Sequence, residues 1–328
     1  MILHTLNLKD FTSGTQEQRL EFSKKLLASF ESSGFVKLSG HGFDAEKIKK
    51  LFGWSKQFFD QPIELKNEVM NPPGPKPQRG YTGVGIEFTS KLHKDEKIRA
   101  MSDTKEHFDQ GAAEDNEFPN RWPKGADLAG FQPFMEDVYR KCDLVCLTLV
   151  AALEVAFGVE DNSLVKQCIP SATDLRLNHY PPIRVEDMRA GHTSRISPHT
   201  DFGIITLLFQ DSVGGLEIED RGNPGTFMPI LPEDGDTTEM IVNVSDTLQR
   251  WTNDELMGGV HRVTIPEPLK SENNIMLPER FTMAYFFKAM RTTSVAPLPK
   301  FVSEVNPAKY PDITALDFQQ WRNNIMYS

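Results

Sequence analysis

The sequence predicts a mainly β protein with flanking helices, in which a helical first half is set against a second half built as an all-β sandwich or barrel. Three observations carry this reading. Apolar residues recur at helical spacing over 16–32, 45–60 and 131–158. From residue 173 the texture changes to short apolar runs separated by turn-rich segments. No internal repeat or low-complexity linker divides the halves, so they are expected to share one core. An amino-terminal α/β region is expected over 1–120. A long backing helix, the β core and a final helix follow over 121–328.

Taken in order, residues 16–32 and 45–60 read as helices, and the run Phe35-Val36-Lys37-Leu38 between them reads as a strand. Pro72, Pro73, Pro75 and Pro77, with Gly74 and Gly80, make 71–84 a loop of the kind that serves as a lid, because proline removes backbone donors and fixes φ. Residues 131–158 form the longest helical pattern. Pro133 is tolerated in its first turn, Phe134, Val138, Val145, Leu149 and Leu153 are among its apolar positions, and Gly158 is its stop. Strands are expected over 175–180, 204–210, 216–219, 240–244 and 281–287, with a helix over 314–325.

Composition narrows the function classes. The 328 residues carry 36 basic and 46 acidic side chains, a net charge of −10 without a long block of one sign. That balance argues against nucleic acid as a partner but leaves room for a small anionic ligand. Cys142, Cys146 and Cys168 neither pair completely nor show a two-residue spacer, which points to a reducing cytoplasm. The most apolar run, 144–153, is about half a membrane span. Residues 1–10 lack the basic start and apolar centre of a secretory signal, so a cytoplasmic protein without a membrane partner is expected. Oligomeric state is not set by these features.

The chemistry centres on Ser197-Pro198-His199-Thr200-Asp201-Phe202-Gly203. On a strand, positions two apart face one side, so His199 and Asp201 can address a single ion. Gly259-Val260-His261-Arg262-Val263 supplies a third ligand from a second β-branched run, giving two imidazoles and one carboxylate. Such a set suits ferrous iron with open coordination positions. It is equally the donor set of a zinc hydrolase with an activated water, and a binding protein without activity is a third reading. Arg280 and Thr282, again two apart, place a planar guanidinium fork and a hydroxyl on one strand face, which suits the distal carboxylate of a keto acid. Asn178 and Tyr180 repeat the spacing and offer hydrogen bonds to the same co-substrate.

Several stretches together resemble the isopenicillin N synthase-like family of 2-oxoglutarate/Fe(II)-dependent dioxygenases. They are Leu175-Arg176-Leu177-Asn178-His179-Tyr180-Pro181-Pro182, His199-Thr200-Asp201-Phe202-Gly203, Val242-Asn243-Val244-Ser245-Asp246, His261-Arg262-Val263 and Arg280-Phe281-Thr282. Ser33-Gly34-Phe35, Gly40-His41-Gly42 and Arg79-Gly80-Tyr81 resemble that family's amino-terminal region. The resemblance implies a double-stranded β-helix, or jelly-roll, barrel. It implies Fe(II) held by His199, Asp201 and His261, and 2-oxoglutarate held by Arg280, Thr282, Asn178 and Tyr180. Dioxygen is then the oxidant and ascorbate a supporting reductant. A small organic molecule of specialised metabolism is oxidised by hydroxylation, desaturation or ring rearrangement. An iron oxidase of the same family that does not use 2-oxoglutarate is the alternative. Ile183 departs from a common Cys, and Gly258-Gly259 stands where small hydroxyl residues are usual.

For the oxidised substrate, Arg195 stands four residues before His199 and either reaches into the barrel mouth or sits on a solvent-exposed rim. Phe108, Phe202 and Phe287 are candidate pocket walls, with core packing as the plain alternative. His4, His41, His93, His107, His179 and His192 have no spacing that demands a metal.

Overall fold

The computed structural model of the chain describes residues 3–93, 95–191, 193–231 and 238–327. Helix Gln16–Ser32 opens on a capping box: the Thr15 hydroxyl accepts the Gln18 N–H at 3.3 Å, and the Gln18 side chain accepts the Thr15 N–H at 2.8 Å. Asp44 caps helix Ala45–Phe59 by accepting the Lys47 N–H at 2.7 Å. The longest helix, Phe131–Phe157, stops at Gly158, whose φ of 63° is the left-handed conformation glycine adopts without a Cβ penalty. Helix Ala315–Tyr327 ends the described chain.

Two sheets are built from β1 (Thr5–Asn7), β2 (Phe35–Ser39), β3 (Gly80–Thr82), β4 (Glu106–Gln110), β5 (Asp174–Tyr180), β6 (Ile196–His199), β7 (Ile205–Gln210), β8 (Leu216–Glu219), β9 (Phe227–Pro229), β10 (Met240–Val244), β11 (His261–Val263) and β12 (Arg280–Phe287). The main sheet has eight strands in the order β1-β2-β10-β7-β12-β5-β4-β3, and the second has four, β9-β8-β11-β6. Strands from the first half of the chain therefore extend both ends of a sheet whose centre comes from the second half. The fold is accordingly mixed α/β rather than mainly β with helices at its flanks. Nor does strand pairing close the sheets into the expected barrel: among the described residues no ladder joins the eight-stranded sheet to the four-stranded one.

The two faces of the main sheet have different tasks. One packs on the helices, where Leu175, Leu177, Met283, Tyr285 and Phe287 join Phe30, Phe58, Phe131 and Leu149 in the largest apolar cluster. Burying each such side chain stabilises the fold by about 1.5–3 kcal/mol. The other face meets the small sheet, and Phe35, Tyr180 and Ile241 pack there on Ile196, Leu216, Ile218 and Val263. Because side chains alternate along a strand, the even-numbered residues of β5 and β12 point into the space between the sheets. The candidate site is there.

Candidate metal centre

His199 closes β6 and His261 opens β11, and the two are direct cross-strand partners with ring centroids 4.3 Å apart. Each Nδ1 lies against the carbonyl two residues earlier, Ser197 O at 2.9 Å and Gly259 O at 3.0 Å. With Nδ1–H donating there, the Nε2 lone pair of each ring is presented to a common point. Gly259 also explains the departure at that position: a Cβ there would lie 2.5 Å from the Phe35 ring.

Asp201 reaches the same point by another route than the one expected. The strand ends at His199, so the turn after β6, not a shared strand face, brings Asp201 round. That turn is pinned by the Asp246 N–H, which donates to the Asp201 carbonyl at 2.8 Å. Asp201 Oδ1 then lies 3.7 Å from His199 Nε2 and 3.9 Å from His261 Nε2, and the three ligand atoms fall within 4.8 Å of one another. Among the described residues this is the one His/Cys/Asp/Glu group so arranged. His192 lies outside the described residues.

The electrostatics suit a cation. Burial, followed by the neighbouring His261, pulls His199 down to about 4, so its imidazole is a neutral donor at physiological pH. Burial alone would raise Asp201, but His261 and His199 outweigh it and keep the carboxyl below its ordinary value. Asn243 donates to Asp201 Oδ2 at 2.9 Å, leaving Oδ1 toward the imidazoles. The role of Asn243 escaped sequence reasoning, although it lies in a strand directly opposite Thr206 of β7.

Arg280 and Thr282 of β12 stand directly opposite Tyr180 and Asn178 of β5. Asn178 Nδ2 donates to the Thr282 hydroxyl at 3.1 Å. The Arg280 guanidinium, fully buried and 4.9 Å from the Tyr180 ring centroid, donates from Nη2 to Gln210 Oε1 at 2.9 Å. Its Nε and Nη1 have no partner, and neither does Asn178 Oδ1. One cavity collects these four residues together with His199, Asp201 and His261.

A second cavity shares His199, Asp201 and Phe286 with the first, so the two adjoin at these residues. Phe202 and Arg176 line it, and Gln319 and Asn323 of the final helix roof it. Asn323 Nδ2 ties that helix to the proline-rich loop through the Pro75 carbonyl at 3.0 Å. Of the residues expected around a substrate, Phe202 is in this cavity. Phe108 and Phe287 are not: both sit on the helix side of the main sheet, in the apolar core. Arg195 is not on a rim and lines neither cavity; it sits behind the first, with its Nη2 donating to the Pro278 carbonyl two residues ahead of Arg280. It is wholly buried, within electrostatic reach of Arg280 and Tyr180.

Beside the second cavity lies a buried ion lattice. Arg176 donates from Nε and Nη2 to Asp109 at 2.8 and 3.1 Å, and from Nη1 to Glu87 at 2.8 Å. Glu87 also accepts Lys105 at 2.5 Å and the Tyr327 hydroxyl at 2.8 Å. Burial would raise Glu87, but Arg176 and Lys105 outweigh it and hold the carboxyl well below its usual range. Burial, then Arg176 and Lys105, push His107 down to about 4.

Comparison with known proteins gives the family of the chain. The family model described as non-haem dioxygenase in morphine synthesis N-terminal matches residues 5–125, and that of the 2OG-Fe(II) oxygenase superfamily matches 172–289. The chain is 44% identical to the 2-oxoglutarate-dependent dioxygenase imqE of Aspergillus flavus, covering 99% of this chain and 94% of that protein. It is 45% identical to the 2-oxoglutarate-dependent dioxygenase ecdK of Aspergillus rugulosus, with 100% of both covered. Among solved structures, a full-length Neurospora crassa protein in complex with alpha-KG and thymine superimposes with a TM-score of 0.87 at 30% identity, over 100% of this chain and 98% of that one.

Proposed function

The chain belongs to the 2OG-Fe(II) oxygenase superfamily, and from that premise we propose that His199, Asp201 and His261 hold its iron while Arg280, Thr282, Asn178 and Tyr180 hold 2-oxoglutarate beside it. The protein is an Fe(II)/2-oxoglutarate-dependent dioxygenase acting on a small molecule. The observation that carries the site assignment is Arg280, a fully buried cation with two unpartnered nitrogens in the cavity that also holds the imidazole and carboxylate ligand atoms. A buried charge without a partner is costly, and the distal carboxylate of a keto acid relieves it. An iron oxidase that takes no 2-oxoglutarate satisfies those nitrogens with a carboxylate of its own substrate, so Asn178 and Tyr180 beside Arg280 tilt the reading to the keto acid, and carbon dioxide release separates the two.

Bound iron and 2-oxoglutarate supply the activation of dioxygen, with oxidative decarboxylation of the keto acid providing electrons. The protein's share is position. The Ser197 and Gly259 carbonyls fix the imidazole tautomers, and Asn243 fixes the carboxylate. Arg280 and Thr282 set the keto acid from the far end of its cavity. The second cavity, which Gln319 and Asn323 also line, receives the organic substrate against Phe202. Likeness to a structure holding alpha-KG and thymine supports a compact organic substrate. The two facing sheets are read as halves of a double-stranded β-helix. Three buried free cysteines fit a reducing cytoplasm, and ascorbate fits as a supporting reductant. Among the described residues no helix is long and apolar enough to cross a membrane.

The test is release of labelled carbon dioxide from 2-oxoglutarate labelled at the C1 carboxyl, measured with metal content, in the wild-type protein and His261→Ala. Loss of both is expected in the variant. Unaltered metal content and release would end the assignment of His261.

A further inference from the structure

One buried cation near the keto-acid cavity has no task in this scheme. Arg195, just ahead of β6, is wholly buried. Its Nη2 donates to the Pro278 carbonyl, two residues before Arg280, while Nε and Nη1 have no partner. Arg280 leaves the same two nitrogens unpartnered. Among the described residues no other arginine leaves two buried nitrogens so. Arg291 and Arg322 each leave Nε alone, and both grip carboxylates, Asp115 and Glu117 in the first case and Asp246 in the second.

The pair repels itself. Burial, and then the Arg280 charge, pull Arg195 down to about 10. Asp211 is the carboxylate that acts electrostatically on both arginines, but its oxygens accept the backbone N–H groups of Val213 at 3.0 Å and Phe281 at 2.6 Å. Two buried guanidinium groups within the electrostatic influence of one carboxylate that backbone N–H groups already engage leave the region one negative charge short. The unpartnered donors are Nε and Nη1 on each side, and a carboxylate offers about four lone-pair sites to receive them.

We propose that Arg195 is a second carboxylate-binding arginine of the keto-acid pocket, so that Arg195 and Arg280 together grip the distal carboxylate of 2-oxoglutarate. This rests on the keto-acid site assigned above, and it moves Arg195 from the organic-substrate side to the co-substrate side. The chemical consequence is selectivity: the pocket discriminates by charge at the far end of the keto acid, and Arg195 contributes part of that discrimination.

The experiment is an anaerobic titration of the Fe(II)-loaded protein, read by the visible charge-transfer absorption of the iron–keto acid chelate. Two probes are used, 2-oxoglutarate and 2-oxopentanoate, which has the same carbon chain without the distal carboxylate. Arg195→Gln is expected to raise the Kd for 2-oxoglutarate about ten- to hundredfold, the weight of one charge-assisted contact, and to leave that for 2-oxopentanoate within about twofold. Equal weakening of both probes, or of neither, overturns the proposal, because a merely structural role does not distinguish them. Arg195→Lys keeps the charge and loses the fork. It is expected to lower the same selectivity by a smaller factor, and it decides the question should the glutamine variant fail to fold. Arg280→Gln serves as the control. If it too retains wild-type selectivity, the keto-acid site itself is misplaced, whereas loss in Arg280→Gln with none in Arg195→Gln removes Arg195 alone.

Discussion

One face of β5 carries two polar regions of opposite character. At its first end Asp174 and Arg176 belong to networks in which the charged atoms find partners: Arg176 engages Asp109, Glu87 and Gln78 through all three nitrogens. At its other end Asn178 and Tyr180 face Arg280, and there Arg280, Arg195 and Asn178 leave buried polar atoms unpaired. Each unpaired atom costs about 1–3 kcal/mol if nothing else satisfies it. Polar groups that hold a fold together are expected to satisfy one another, and groups that hold a ligand to remain short of partners until it arrives. The strand thus passes from scaffold to site within a few residues, and the arginines mark the change: Arg176 has all its nitrogens engaged, whereas Arg280 and Arg195 each leave two unpartnered.

The contrast is broken or sharpened most strongly by Asp201→Ala. Activity is expected to fall to background, beyond the ~10–100-fold carried by outer-shell partners of a metal. Stability in denaturant should fall by about 1–3 kcal/mol at most, the cost of leaving the buried Asn243 amide without its acceptor. A variant that unfolds while keeping its turnover per folded molecule would assign Asp201 to the scaffold.

At the scaffold end the expected signs reverse. Arg176→Met leaves Glu87 and Asp109 without their main counter-charge, and breaking such a pair from one side costs ~3–5 kcal/mol. Chemical denaturation measures it, with metal content unchanged in the fraction that folds. A cost below about 1 kcal/mol would show that the lattice is not what secures this end.

The same lattice predicts an acid limit. His107 has a folded value of about 4 against an ordinary 6.5, with burial as the first cause and Arg176 and Lys105 next. Between those values the unfolded chain takes up a proton that the folded chain refuses. Stability from this group is therefore complete above pH 6.5 and is lost as pH falls toward 4, by about 3 kcal/mol in all. Denaturation midpoints of the wild-type protein and His107→Gln across that window should converge toward acid. Parallel curves would remove His107 as the cause.

How much of this was legible in the sequence depends on whether a residue obeys strand parity. A period of two places Arg280 with Thr282, and Asn178 with Tyr180, correctly, since β12 and β5 are regular through those positions. The same rule, carried seven residues on from Arg280, puts Phe287 on the opposite face, and that is where it packs. Phe108 fails for a different reason. Its strand reads Glu-His-Phe-Asp-Gln, whose charged residues are buried by ion pairing that no local pattern announces, so neither the strand nor its apolar face is visible beforehand. Spacing pairs Asp201 with His199 through a shared strand face, which the turn after β6 does not provide. Arg195 lies ahead of a strand whose register against β11 is irregular, and spacing could not orient it.

The subtlest separation of site from scaffold lies at Asn243, which belongs to both. Its side chain donates to Asp201 Oδ2 at 2.9 Å and to the Val244 carbonyl at 3.4 Å, while its strand is paired on both sides, with β7 and β2. Asn243→Ala removes the amide without touching a ligand atom. Metal affinity is expected to fall by ~10–100-fold, the range for an outer-shell partner, because Asp201 loses the contact that turns Oδ1 toward the imidazoles. Excess Fe(II) should then restore most of the turnover, which it cannot do for Asp201→Ala. If added iron fails to restore activity while the folded fraction is unchanged, Asn243 acts on the bound state rather than on metal retention, and its place is nearer the chemistry than its distance from the imidazoles implies.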